Sequence, residues 1–503
     1  MKFDTKSIFI PHIAGCGVLQ KDLELDGALP EDLPDISRLI SVDAKVEKTT
    51  VKVENGKAEV VSSMLFGILY ESDYRSKASY TTVGTDFSQK TDVECGKEFY
   101  PDADVKCTFL SCKLLGSRRF VIRARMATSL ECDTIEEMRS IDVDSSKVSA
   151  FFKTKSLELT SPCRTYTDER HFEGKAAAEE AVSSVVYVTA EELPTEYAVS
   201  DGRLSVKTPV RVKALCEGES GRYFVTETEL KTLTTAEDAD IDESKRFRVD
   251  FSALSPTATV ESDDYGEQKV LNFSVEGEME AVCYETVTET AASDAFCADR
   301  STESTAESVV FQSIGEEKTK TFSVEKTFDT EKTDILRIID TSVIFRLTGK
   351  EISDGNLTAK GVYTANILAE TESGMNETTF DGEFAETIPL DGDIGVCHAS
   401  VTLVDAASTV YGGENITLRA SAVLRLFTTE KQTDTLLTSV TASDSAESAM
   451  SEEIRFYYPE RSETLWDIAK SYRIDPKRLG ERNKNVFTPD GRLDENAVFV
   501  AIE

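Results

Sequence analysis

The sequence predicts a mainly β protein. Three repeated antiparallel β domains, each a sandwich or open barrel, precede a small α+β domain of βααβ order. Three observations carry that prediction. One hairpin signature occurs three times, at Glu54-Asn55-Gly56-Lys57, Ser200-Asp201-Gly202-Arg203 and Ser353-Asp354-Gly355-Asn356. Around each copy, apolar residues alternate with polar ones at period two, and no long run at period 3.6 interrupts them. The last fifty residues then change to a helical pattern framed by two strands. Asn-Gly and Asp-Gly suit a type I′ turn, because both central residues need φ > 0. The turn glycines lie 146 and 153 residues apart, a period that fits a whole domain rather than a solenoid unit.

Taken in order, residues 1–35 read as a lead-in with Pro11, Pro30 and Pro34 and little periodicity. Residues 36–135 are the first β repeat. Ile40, Val42, Ala44 and Val46 alternate before the turn; Ala58, Val60, Met64, Phe66, Ile68 and Tyr70 line one face after it. Val61, Leu65 and Leu69 make the opposite face partly apolar, as in a central strand. Phe120 to Met126 adds another strand. Residues 136–190 read as a connector, with helical potential in the Ala-rich stretch between Gly174 and Ser184. The second repeat, 191–285, contains strands at Leu204 to Leu215, Arg246 to Ser252 and Val270 to Val275. Residues 286–334 read as linker and connector, since 286–308 are rich in Thr, Ser, Ala and Glu. The third repeat is 335–427, and a second linker, 428–452, gives the tail freedom to swing.

The chain has 503 residues, 40% of them hydrophobic, enough for three or four packed domains. Its formal charge is −36, and the last 51 residues hold 10 acidic and 9 basic side chains, so the repeats hold −35. Such a surface repels phosphate backbones and anionic lipid, which argues against nucleic acid and membrane partners. No segment is long and apolar enough for membrane insertion, and Met1 to Lys6 lack the pattern of a signal peptide. The expected location is the cytoplasm. The ten cysteines form no CxxC pair and do not recur with the repeat, so free buried thiols are expected.

The tail, 453–503, begins with the strand Glu453 to Tyr458. Thr464 starts a helix with Asp467 as its capping-box partner, and Leu465, Ile468, Ala469 and Tyr472 form one apolar face. Asp475 caps a second helix that opens with Pro476. Ala497 to Ile502 closes the order as a strand. These residues, Ser462-Glu463-Thr464-Leu465-Trp466-Asp467-Ile468-Ala469 with Tyr472, Ile474, Leu479 and Asn483, resemble the LysM domain. That resemblance implies binding of N-acetylglucosamine polymers such as peptidoglycan, between the loop before the first helix and the loop after the second. Here Ser462-Glu463 replaces the usual Gly-Asp, and Asp494-Glu495-Asn496 replaces the usual Pro-Gly. The three β domains resemble the SPOCS domain of spore coat proteins. SPOCS-like repeats followed by one LysM resemble the SipL-like family of coat-morphogenesis proteins. That second resemblance implies a non-enzymatic scaffold of the mother-cell cytosol, at the forespore surface. Its LysM would bind the coat morphogenetic ATPase that polymerises there.

No residues suggest catalysis. His12, His171 and His398 are far apart in sequence, and no HExxH, Walker A, GxSxG or GxGxxG pattern occurs. Neither cofactor nor metal is expected. Cys397-His398 reads as a structural thiol beside a surface imidazole on opposite faces of a strand. The acidic runs Asp238 to Glu243 and Ser262 to Asp264 read as solvated turns. Candidate partner- or glycan-binding residues are Ser462, Glu463, Thr464, Leu465, Trp466, Lys470, Arg473, Lys477, Arg478, Arg482 and Asn483. Trp466, the only tryptophan, either caps the tail core or anchors a partner. The basic residues between Lys470 and Lys484 form a solvated helix face, a docking patch, or a surface that folds back on the acidic repeats.

Overall fold

The structure, a computed structural model, describes residues 2–502 except 75–76, 94–97, 144–149, 331–334, 391–393, 412–414, 444–454, 461, 485, 489 and 495–499. Three repeats of antiparallel strands account for almost all of it. The first contains β1 (Thr5–Ala28), β2 (Ile36–Glu54), β3 (Lys57–Ser72), β4 (Ala78–Asp92), β5 (Glu98–Leu114) and β6 (Arg119–Ile141). Strands β2-β3-β4 form one sheet and β1-β6-β5 another. Met64, Phe66 and Ile68 of β3 pack against Phe120, Ile122, Ala124 and Met126 of β6. Alternate residues of each central strand therefore face one shared core, as in a sandwich.

The second repeat contains β7 (Ala150–Ala177), β8 (Val182–Glu192), β9 (Glu196–Ser200), β10 (Arg203–Lys207), β11 (Pro209–Gly218), β12 (Tyr223–Lys231), β13 (Thr234–Glu237), β14 (Arg246–Glu261) and β15 (Val270–Cys297). Its outer sheet is split into β8-β11-β12 and β9-β10-β13, beside β14-β15-β7. The split falls at Pro194 and Pro209, which have no N–H for a ladder. Threonines bridge the break: Thr195 and Thr208 hydroxyls lie 2.9 Å apart, and the Thr208 N–H donates to Thr232 Oγ1 at 3.2 Å. The third repeat is unbroken: β16 (Thr302–Asp329), β17 (Ile335–Ser353), β18 (Asn356–Thr371), β19 (Gly374–Pro389), β20 (Ile394–Tyr411) and β21 (Asn415–Ala442). Its sheets are β17-β18-β19 and β16-β21-β20.

The three hairpin turns form as expected. Asn55, Asp201 and Asp354 have φ of 51°, 47° and 50°, followed by Gly56, Gly202 and Gly355 at 73°, 76° and 71°. The segments expected as lead-in, connectors and linkers are strands. Residues 5–28 form β1, which pairs along its length with β6. A bulge between Gly15 and Val18 shifts which residues face inward, and this hid the alternation. The Ala-rich stretch after Gly174 ends β7 instead of forming a helix, because Lys175 to Ala177 pair with Val270 to Asn272. Residues 286–297 continue β15, 302–329 form β16, and 428–442 continue β21. Residues 444–452 of the second linker lie outside the described residues. In every repeat the first strand pairs antiparallel with the last.

The repeats join in a ring. Leu69, Leu215 and Leu368 each follow their turn glycine by 13 residues, and all three share one buried cluster with Ile40 and Met375. Arg38 of the first repeat donates to the Met375 carbonyl of the third at 2.8 Å. Arg337 of the third donates to the Tyr223 carbonyl of the second at 2.6 Å. The Tyr223 hydroxyl of the second accepts from the Ala78 N–H of the first at 2.9 Å. These contacts join the first repeat to the third, the third to the second and the second to the first. The long strands meet elsewhere: Ile8 and Ile10, Leu157 and Leu159, and Val309 and Phe311 form one core. Ala292 and Ala295 are buried beside Phe3, Ile141, Leu437 and Val440. Small side chains there let three strand pairs approach closely, so the composition that read as linker belongs to a core.

The tail has the expected order, β22 (Arg455–Tyr457), α1 (Leu465–Tyr472), α2 (Pro476–Arg482) and β23 (Val500–Ile502), with β22 and β23 antiparallel. Thr464 and Asp467 make the capping box, and Asp475 caps α2 with Pro476 behind it. Among the described residues no helix is long and apolar enough to cross a membrane.

Candidate functional site

The tail core is Ile468, Ala469, Leu479, Val500 and Ile502, and it includes Phe296 from β15. The tail is therefore seated on the end of the second repeat. Trp466 stands edge-on to Phe296, with ring centroids 5.2 Å apart, and Phe296 in turn packs on Phe151 at 5.2 Å. Trp466 Nε1 donates to Asp294 Oδ2 at 2.8 Å, and Lys470 Nζ lies 2.7 Å from both Asp294 oxygens. Burial works to raise the Asp294 carboxyl, but the bonds from Lys470, Trp466 and the Ala295 N–H outweigh it and hold it below the usual range. Trp466 thus caps the core and also anchors a contact, and that contact is with this chain's own acidic repeat.

The other candidates separate by role. Asn483 is buried; its amide donates to the Leu479 and Ala501 carbonyls at 2.9 and 3.0 Å and accepts from the Ala501 N–H at 2.9 Å, tying α2 to β23. Glu463 accepts from the Tyr457 hydroxyl at 2.8 and 2.9 Å, which raises that phenol to about 12. Thr464 is the N-cap, and the half-buried Leu465 donates its N–H to the Gly491 carbonyl at 2.8 Å. Arg473 adopts the left-handed conformation at the C-cap of α1, φ 54°. Ser462, Lys477, Arg478, Arg482 and Lys484 are exposed. The outward chemistry of the tail is therefore a basic α2 face and the start of α1.

A buried charge cluster sits where β5, β14 and β20 of the three repeats converge. Arg248 Nη1 donates to Asp133 Oδ2 at 3.2 Å and lies 3.3 Å from the Tyr284 hydroxyl. His398 Nδ1 is 3.0 Å from Asp102 Oδ2 and 3.1 Å from Glu131 Oε2, while Nε2 is 3.3 Å from Asp133 Oδ1. His398 Nε2 also lies 3.1 Å from Arg248 Nη1, a cation–cation approach that the three carboxylates offset. Lys350 pairs with Glu131 at 3.1 Å from the third repeat. Burial opposes a charged His398, yet the bonds to Asp102, Asp133 and Glu131 hold it well above 6.5. His398 is thus 5% exposed, not the surface imidazole expected; the Cys397 side chain lies outside the described residues. A sequence signal existed: Asp102 and Arg248 each follow their turn glycine by 46 residues.

A second polar layer joins the repeats. Lys213 Nζ is 3.2 Å from Asp340 Oδ1 and 3.9 Å from Glu191 Oε1, and donates to the Thr341 carbonyl at 3.1 Å. Burial, then Asp43 and Asp340, push the Glu377 carboxyl up to about 8. The acidic runs form solvated turns, as expected. Asp238 and Asp242 accept from the N–H groups of Asp240 and Ser244, and Asp263 accepts from those of Tyr265 and Glu267.

Fold and contacts together define a three-repeat β protein in which the Asp133, Arg248 and His398 cluster and the Lys213–Asp340 pair join the repeats, and Asp294 seats the tail. A family model described as "SipL, SPOCS domain" matches residues 35–114, which span β2 to β5 and include the first hairpin and Asp102. That match supports a SipL-like protein and a sporulation-related role. Neither curated proteins nor solved structures gave a match.

Proposed function

We propose that this chain is a non-enzymatic scaffold of spore coat assembly in the mother-cell cytosol, at the forespore surface. The SPOCS-domain match at 35–114 carries the reading, and the same hairpin recurs at Gly202 and Gly355. The ring supplies a rigid acidic body. The LysM-like tail docks on a coat morphogenetic ATPase through the basic α2 face, where Lys477, Arg478 and Arg482 are exposed. Because Trp466 and Lys470 are engaged with Asp294, the α2 face is the side of the tail turned to a partner. Lys477→Glu with Arg478→Glu is expected to abolish capture of the ATPase while leaving the fold intact. Sedimentation of the full chain with purified peptidoglycan tests the alternative, a glycan-binding envelope protein. Pelleting with glycan and no capture of the ATPase would overturn the scaffold reading.

A further inference from the structure

Cys163 belongs neither to a core nor to the tail contact. Strands β7 and β15 pair Arg164 with Cys283 and Pro162 with Tyr284, so Cys163 is the extra residue of a bulge opposite Cys283. Its thiol donates to the Cys283 carbonyl at 3.4 Å, so the two cysteines are immediate neighbours across the strand pair. Cys163 is exposed, whereas Cys283 is buried. Lys245 and Arg164 supply positive charge beside them, paired with Glu285 and Asp238 respectively, and Tyr100 of the first repeat covers the adjacent Val282 and Tyr284.

We propose that Cys163 and Cys283 form a reversible thiol–disulfide site that takes low-molecular-weight disulfides, with Cys163 attacking and Cys283 resolving. The Cys163 thiolate attacks one sulfur of RSSR. A mixed disulfide forms, and RS⁻ leaves and takes up a proton. Cys283 then loses its proton to solvent and attacks the Cys163 sulfur, and the second RS⁻ leaves as RSH. Two thiols become one disulfide while one RSSR becomes two RSH.

The surroundings suit each step. Hydrogen bonding to Cys283, with Lys245 and Arg164 nearby, outweighs burial and the Glu285 charge and brings Cys163 down to about 7. The bond to Cys163, then burial, then the Cys163 charge hold Cys283 far above its ordinary value. Once Cys163 is capped by RS, its charge and that bond are gone, and Lys245 eases deprotonation of Cys283. Cys107 and Cys112 are instead pushed up by burial, so they are poor competitors. The adjacent Tyr284 hydroxyl reaches Asp133 and Arg248, which places the disulfide one residue from the cluster joining the repeats.

The test treats the full chain with cystamine, blocks remaining thiols with N-ethylmaleimide and maps peptides by mass. Cys163 is expected to react about ten-fold faster than Cys107 or Cys112 at neutral pH. A peptide cross-linked between 163 and 283 should follow, and dithiothreitol should reverse it. Cys283→Ser should stop at the mixed disulfide on Cys163. Reaction at Cys107 or Cys112 with Cys163 untouched, or a persistent mixed disulfide in the unaltered chain, would overturn the proposal. Mapping of the unaltered chain decides this without the variant.

Discussion

Asp133 touches groups from two other repeats, so its loss strands buried charge. Asp133→Ala leaves Arg248 and His398 without their shared carboxylate and is expected to cost about 3–5 kcal/mol by urea titration. The pH dependence has opposing contributions. Asp133, held below 3.8, stabilises above that value, and its contribution is lost as pH falls. His398 contributes fully below 6.5, and its contribution is lost only as pH rises towards its raised folded value. Glu377 acts the other way: its carboxyl prefers to be neutral in the fold, so stability declines as pH rises from 4.5 to about 8. Glu377→Gln is expected to flatten that decline, by up to about 5 kcal/mol, in urea midpoints measured at stepped pH. At this scale the sequence hides most of the site. Asp102, Asp133, Arg248 and His398 lie on strands that meet only when three repeats close, and period-two patterning says nothing about which strand ends converge.

Hairpin turns and helix caps were the most legible elements, because their chemistry is local. Asn55-Gly56, Asp201-Gly202 and Asp354-Gly355 adopt positive φ, and Thr464 with Asp467 makes its capping box. A Cβ at Gly202 would lie 3.2 Å from the Asp238 carbonyl, against 3.7 Å from that of Val93 at Gly56. Gly202→Ala is therefore expected to cost about 1–2 kcal/mol, and more than Gly56→Ala, by urea midpoint. The long first and last strands were not legible. A bulge switches the inward face of β1, and the Ala and Thr of β15 read as linker although Ala291 and Ala292 are fully buried. Their burial comes from neighbouring repeats, which no window of one strand contains.

The whole molecule is a closed ring with a tail latched to its second repeat. The tail's β-α-α-β order was readable from caps and spacing, but its seat was not, because Asp294 and Phe296 lie in the segment read as linker. Asp294→Ala removes the bonds to Trp466 and Lys470 and is expected to weaken docking by about 1–2 kcal/mol, the exposed Lys470 pair adding little. Trp466 fluorescence should shift to the red in that variant, since this is the only tryptophan. One measurement bears most directly on whether the tail is a docking module: capture from sporulating-cell lysate by the full chain, beside the Lys477→Glu, Arg478→Glu variant. Capture of a coat ATPase by the unaltered chain, lost in the variant, is the expected result. Equal capture by both, or capture by neither, would contradict docking through the tail.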